Sequence, residues 1–166
     1  RFGGEMFAEV VAKVCVAHGV KVKMSRGFVS TPMVSYGTKH FNASMGVVLT
    51  ASHNPPDYNG YKLKSHHGGP LIEEHVKEVE AIIPTEHKVD LDSMSFDEMV
   101  KAGSIEIIDL ESMYVSAIES NFDLDAIRNS GLNFAYDAMF GSGQNVLKRI
   151  FPEMTFLHCE HNPSFM

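Results

Sequence analysis

Two apolar rhythms alternate along this chain. Across residues 5–18, Phe7, Val10, Val11, Val14 and Cys15 recur every three or four positions, the mark of one apolar helix face. Gly19 follows as a C-terminal stop. The next five residues, VKVKM at 20–24, alternate apolar and basic side chains, as a strand does. Thr31-Pro32 reads as a helix start, with Thr31 as cap and Pro32 in the first turn, and that helix runs to about His40. MGVVLTA, 45–51, is a continuous apolar run, which fits a strand covered on both faces. GYKLK, 60–64, is a short strand, and GGPL turns into a helix over 70–83. Acidic, polar turns fill 84–103, with a short helix near 96–101. SIEIIDL, 104–110, reads as strand or linker. A helix over 111–121, a strand over 132–139, a loop turning into a helix over 140–151 and a strand over 155–160 complete the pattern. Helices and strands in this order predict an α/β class with layered sheets. The break near 103–112 is the candidate domain boundary.

Composition narrows the function classes. With 166 residues, 44% hydrophobic and 21% charged, the chain can bury a core and is not disordered. A net charge of -7 argues against nucleic acid as partner, which calls for a basic surface. No run reaches the roughly 18 apolar residues of a membrane span, and no signal peptide opens the chain. Cys15 and Cys159 lie far apart and read as two reduced core thiols of a cytoplasmic protein. The ten methionines read as core filling.

One loop carries most of the candidate chemistry. Ser52 follows the apolar strand, where α/β sheets usually place their sites. His53 beside it can move protons near neutral pH. Lys62 lies on the next strand, and a turn through Pro55-Pro56 and Asn59-Gly60 can carry it back toward Ser52. Proline fixes the backbone there, and Gly60 supplies a permissive dihedral. A serine, a histidine and a lysine together favour acyl or phosphoryl transfer. The plainer reading is a polar loop whose Ser and Asn side chains cap turns. A serine hydrolase fits poorly, because the Gly-x-Ser-x-Gly elbow is missing.

Two other segments are weaker. Gly141 and Gly143, between a strand and a helix, have part of the spacing of a phosphate cradle. They lack the third glycine and the Walker lysine, so a tight strand-to-helix turn is preferred. His158 and His161 flank Cys159 on a predicted strand that points neighbours to opposite faces, which disfavours a metal site. His66-His67 reads as a solvated turn.

TASHNPPDYNGYK, 50–62, closely resembles the phosphoserine loop of the α-D-phosphohexomutases, the family of phosphoglucomutase and phosphomannomutase. Arg1 and the helix after it resemble the family's Asp-x-Arg start. Ser30-Thr31-Pro32 resembles its threonine-proline segment. YDAMFGSGQNVLKRIF, 136–151, resembles the Asp-x-x-x-Gly-x-Gly turn of its second domain. The resemblance implies a layered α/β/α fold with a mixed sheet, with domain 1 over 1–107, lacking its first strand, and the start of a second, similar domain 2 over 108–166. It also implies a phosphoserine at Ser52 that gives its phosphoryl group to a hexose phosphate. A hexose 1,6-bisphosphate then reorients and returns the other phosphate, so glucose or mannose 1-phosphate and 6-phosphate interconvert. By the same resemblance Ser52, His53 and Lys62 are catalytic, and Arg1 and Lys62 bind phosphate. Mg2+ meets Ser52 through its phosphate, and hexose 1,6-bisphosphate is the activator. The family's metal loop, sugar loop and phosphate-clamping loop have no match here and are expected in missing C-terminal domains. The expected result is a cytoplasmic mutase fragment with little activity alone. The alternative is a non-catalytic phosphosugar-binding module that keeps the loop.

Overall fold

The computed structural model describes residues 1–86 and 88–166. Helix α1, Gly4–Ala17, starts at Gly3 and ends in a Schellman turn. The Gly19 and Val20 amides donate to the carbonyls of Val16 and Cys15 at 2.9 and 3.0 Å. Gly19 takes φ +76° there, a conformation a side chain would disfavour. The predicted stop is therefore the real one.

Strand β1, Val22–Ser25, runs parallel to β4, Ile105–Ile108, with Val22 opposite Ile105 and Ser25 opposite Ile108. The segment read as strand or linker is thus a strand, and its partner lies some eighty residues earlier. A parallel pair needs a long crossover, and everything between the two strands supplies it. Helix α2, Thr31–His40, is capped from Ser30, with Pro32 at its second position. The cap sits one residue before the predicted Thr31.

Strand β2, Gly46–Leu49, pairs antiparallel with β3, Tyr61–Lys64, from Gly46 opposite Lys64 to Leu49 opposite Tyr61. Its burial alternates, with Gly46 and Val48 buried and Val47 and Leu49 half-buried. The expected strand covered on both faces is replaced by half of a hairpin. Helix α3, Glu73–Ala81, starts later than residue 70, because Leu71 donates to the Leu63 carbonyl at 3.0 Å and Pro70 bridges to Lys64. Helix α4, Phe96–Lys101, is capped by the Ser95 side chain and lies where the sequence puts it.

Helix α5, Leu110–Asn121, is capped by Asp109, and a short α6, Leu124–Arg128, by Asp123. Strands β5, Ala135–Asp137, and β6, Thr155–Leu157, pair in parallel on either side of α7, Gln144–Ile150. Both strands are shorter than their apolar runs. The architecture is α/β, with the strands paired two by two in parallel and antiparallel ladders.

Met33, Leu110, Val115, Leu124, Val146 and Ile150 form the buried core cluster. Met33 is the one methionine in the buried core among the described residues, while Met6, Met45, Met139 and Met166 are exposed, so core filling accounts for few of the ten. Cys15 and Cys159 are free thiols, each half-buried rather than in the core. Burial raises the Cys15 thiol pKa.

Candidate functional site

The hairpin ladder continues one step past β2, where Thr50 donates to the Gly60 carbonyl at 2.9 Å. That bond closes the base of a loop over residues 51–59. A Cβ on Gly60 would meet the Thr50 carbonyl oxygen at 2.7 Å, and Gly60 is not among the residues with positive φ. Its glycine is required by close backbone approach, not by the permissive dihedral expected of it.

The left-handed residue in the loop is Ser52, at φ +52°. For a residue other than glycine this costs about 1–2 kcal/mol, and such strain persists only where surroundings hold it. Locally the Ser52 amide donates to Thr50 Oγ1 at 3.2 Å, and the Asn54 and Tyr58 amides donate to the Ala51 and Pro55 carbonyls at 3.1 and 3.0 Å. From outside, the Arg1 guanidinium donates to four loop carbonyls. These are Ser52 at 2.5 Å, Pro55 at 2.6 Å, Asn54 at 2.7 Å and Tyr58 at 3.0 Å. At about 1 kcal/mol net per bond, four such bonds exceed the strain at Ser52. Asn59 adds a second tie, donating to the Phe2 carbonyl at 3.4 Å while its Oδ1 accepts from the Gly60 amide at 3.0 Å. The Phe165 ring faces the guanidinium at 5.1 Å.

The expected site residues are therefore distributed as follows. Ser52 and His53 are neighbours on the exposed loop. Arg1 reaches that loop, but through its carbonyls. Lys62 stands on β3 opposite Val48, with its side chain exposed. No hydrogen bond among the described residues links it to Ser52 or His53. Reading by residue type missed the backbone cage around Arg1 and the left-handed serine. The density of Pro, Asn and Gly between 54 and 60 is the one signal that such a loop was being held.

A second concavity, about 280 Å3, opens where β1 and β4 end and is lined by Ser25, Arg26, Asp109, Glu111 and Asn145 among others. Its polar groups are partly committed. Asp109 accepts from the Ser112 amide and hydroxyl at 3.0 and 2.9 Å, which holds its carboxyl pKa below the ordinary value. Asn145 donates to Glu111 at 3.4 Å.

The glycine turn after β5 is a tight turn, as preferred. Gly143, at φ +97°, caps α7. Asp137 accepts from the Met139 amide at 2.8 Å and lies 2.9 Å from His158 Nδ1. The Met139 amide first, and then His158, lower its pKa. His66 and His67 are exposed, their rings 3.6 Å apart.

A magnesium site can be tested against the donors present. Among the described residues no three His, Cys, Asp or Glu side chains converge to hold a metal ion. Ser52 brings a single hydroxyl. The residues here do not form a metal cage, and no step below runs through one. Among the described residues no helix is long and apolar enough to cross a membrane.

Comparison with known proteins bears on the same loop. Residues 1–90 match the family model described as phosphoglucomutase/phosphomannomutase, alpha/beta/alpha domain I. The chain is 32% identical to a phosphoglucomutase/phosphomannomutase of Thermococcus kodakarensis, over 93% of this chain and 32% of that protein. It is 28% identical to a phosphoglucomutase of Staphylococcus haemolyticus, over 96% of this chain and 30% of that protein. A crystal structure of a phosphomannomutase-like protein from Thermus thermophilus superposes with a TM-score of 0.85 at 32% identity, covering 99% of this chain and 37% of the other. The chain spans about a third of the length of the curated relatives it matches. A matched domain, a superposition over nearly every residue and the clamped serine loop lead to one conclusion: this chain belongs to the phosphoglucomutase/phosphomannomutase family.

Proposed function

We propose that this chain is the phosphoserine-bearing part of a phosphohexomutase, an isomerase that interconverts hexose 1-phosphate and hexose 6-phosphate. The observation that carries the reading is Ser52, held exposed and left-handed in a loop closed at its base and tied to Arg1. A nucleophile that must donate and reclaim a phosphoryl group without swinging gains from such fixation, since phosphoryl transfer depends on positioning and charge stabilisation. In this reading phosphorylated Ser52 gives its phosphoryl group to a sugar hydroxyl. The Ser52–phosphate bond breaks as the bisphosphate forms, and the serine hydroxyl takes the other phosphate from that intermediate. His53 handles the proton, and Lys62 supplies positive charge from β3.

Residues 1–107 are domain 1, and 108–166 open domain 2. Strand pairing supports the division up to one residue, because β4 ends at Ile108 while, among the described residues, β5 and β6 pair with each other and with no other strand. The core cluster crosses it through Met33 and Leu110. Sugar phosphates, hexose 1,6-bisphosphate as activator, a magnesium ion and the remaining domains of a mutase about three times this length complete the proposal. The metal's donors are assigned to those domains, and the reaction to the cytoplasm.

Turnover tests it. In a mutase of the relatives' length containing this chain, Ser52→Ala abolishes interconversion with the fold intact. Lys62→Ala lowers kcat on the order of a hundredfold, the usual cost of one electrostatic contact to a transition state. The 166-residue chain by itself turns over no sugar phosphate. Full turnover by Ser52→Ala contradicts the nucleophile, and full turnover by the isolated chain contradicts the assignment of groups to other domains.

A further inference from the structure

We propose that Arg1 is a positioning residue that acts on Ser52 through the loop backbone, and that the loop carbonyls form a cage specific for a guanidinium ion. The family resemblance gives Arg1 a contact with the phosphoryl group. Its geometry is different. One terminal nitrogen donates to the Pro55 and Tyr58 carbonyls at 2.6 and 3.0 Å, and the other to Ser52 and Asn54 at 2.5 and 2.7 Å. Both terminal nitrogens are engaged with the loop, each at two carbonyls. The four acceptors span seven residues of loop, from Ser52 to Tyr58, so the loop curls around a planar, forked donor. An ammonium has three donors on one point and cannot reproduce two parallel pairs. The Phe165 ring faces the guanidinium at 5.1 Å, as suits a delocalised cation.

Ser52 is both one of the acceptors and the left-handed residue. Its carbonyl bond to Arg1 therefore pins the peptide that fixes the Ser52 dihedrals. Local bonds remain without Arg1, but they span only two or three residues each. Among the described residues, Arg1 is the group that bonds loop carbonyls both before and after Pro55-Pro56, above the Thr50–Gly60 closure. The predicted consequence is a loop that stays attached at Thr50 and Gly60 yet loses its single conformation when the guanidinium is removed.

The test is amide hydrogen exchange and backbone chemical shifts of residues 50–60 in the 166-residue chain, compared among wild type, Arg1→Lys and Arg1→Gly. Each variant is also measured with guanidinium chloride or methylammonium chloride at low millimolar concentration, far below denaturing levels. Met33 methyl shifts report the core independently. Exchange at the Asn54 and Tyr58 amides is expected to rise at least tenfold in Arg1→Gly and in Arg1→Lys, with Met33 unmoved. Guanidinium is expected to return Arg1→Gly to wild-type exchange and shifts, and methylammonium to leave it unchanged. Exchange unaltered in Arg1→Gly overturns the proposal, as does rescue by methylammonium equal to that by guanidinium. Loss of the Met33 signal pattern also overturns it, since Arg1 then holds the fold and not the loop.

The link to catalysis rests on the mutase reading and is measured separately. In the longer mutase, Arg1→Gly is expected to lower kcat at least tenfold with KM little changed, and guanidinium to restore kcat. If the loop readout holds and neither protein transfers phosphate, the mutase reading fails and the cage stands. If transfer occurs and Arg1→Gly raises KM alone, Arg1 is a substrate contact and the positioning role fails.

Discussion

The serine loop and the turn after β5 both hold left-handed residues other than glycine, and they hold them differently. In the serine loop Ser52 has φ +52° and is secured by Arg1, fifty-one positions away in sequence. In the turn after β5, Met139 and Phe140 have φ +45° and +57° and are secured from nearby. Asp137 accepts the Met139 amide two residues on, and the Phe140 amide donates to the His158 carbonyl just past the paired strand at 2.9 Å. The second turn carries the glycine spacing that partly resembles a phosphate cradle. The first carries Ser52, the proposed nucleophile, and no such glycines. Strain held locally makes a connection, whereas strain held from a distant element makes a position that the rest of the fold controls.

The sharpest way to break this contrast is to relieve the strain. Ser52→Gly accepts the left-handed backbone freely, so it is expected to raise unfolding free energy by up to about 1 kcal/mol while ending phosphoryl transfer in the longer mutase. Met139→Gly, at an exposed side chain with φ +45°, is expected to give a similar gain and leave transfer intact. Denaturant unfolding and turnover on the same samples check both. Transfer surviving in Ser52→Gly, or lost in Met139→Gly, would reverse the assignment of the two turns.

Next in size is crowding at the loop base. Gly60→Val sets a Cβ close against the Thr50 carbonyl oxygen, 2.7 Å from it. Overpacking of this kind costs roughly 1–3 kcal/mol. The urea midpoint should fall accordingly, and amides 50–60 should shift. An unchanged midpoint would show that the loop closes elsewhere.

A smaller effect separates the turns again. Asp137→Ala removes the acceptor of the Met139 amide, at a cost of about 1 kcal/mol. Amide shifts should move around 137–141 and 158 and stay fixed at 50–60. Movement in the serine loop would mean that the turns are coupled.

The smallest expected effect is on acid stability. Asp109 and Asp137 have folded pKa values below the ordinary 3.8, each first because a backbone amide bonds to the ionised carboxyl. A depressed folded pKa contributes stability above the unfolded value that disappears as pH falls through the folded one. Stability should thus be level from neutral pH down to about 4 and decline below it. Asp109→Asn should flatten part of that decline. A decline that begins near pH 6 would point to a histidine instead, whose ordinary pKa is about 6.5.

Much of this fold is legible in the chain because its signals are local. The spacing of Phe7, Val10, Val11 and Val14 marks α1, Gly19 marks its end, and Thr31-Pro32 marks the start of α2 to within one residue. What the sequence hides is long-range or made of backbone. SIEIIDL reads as strand or linker because its parallel partner is far away. The cage around Arg1 is built from carbonyls that every residue possesses, so no side-chain pattern announces it. Gly60 suggests a special dihedral because its contact with Thr50 exists only after the hairpin closes. Lys62 can be nominated by its type, but its place opposite Val48 follows from a register that the sequence does not state.

In the proposed mutase the clamped loop presents Ser52 as the group that carries phosphate. Phosphopeptide mapping tests it most directly, on a mutase of the relatives' length containing this chain, after incubation with hexose 1,6-bisphosphate and magnesium. Phosphate is expected on Ser52 and absent from the Ser52→Ala protein. A folded, magnesium-loaded protein with no phosphate on Ser52 would contradict it and leave a phosphosugar-binding module in its place.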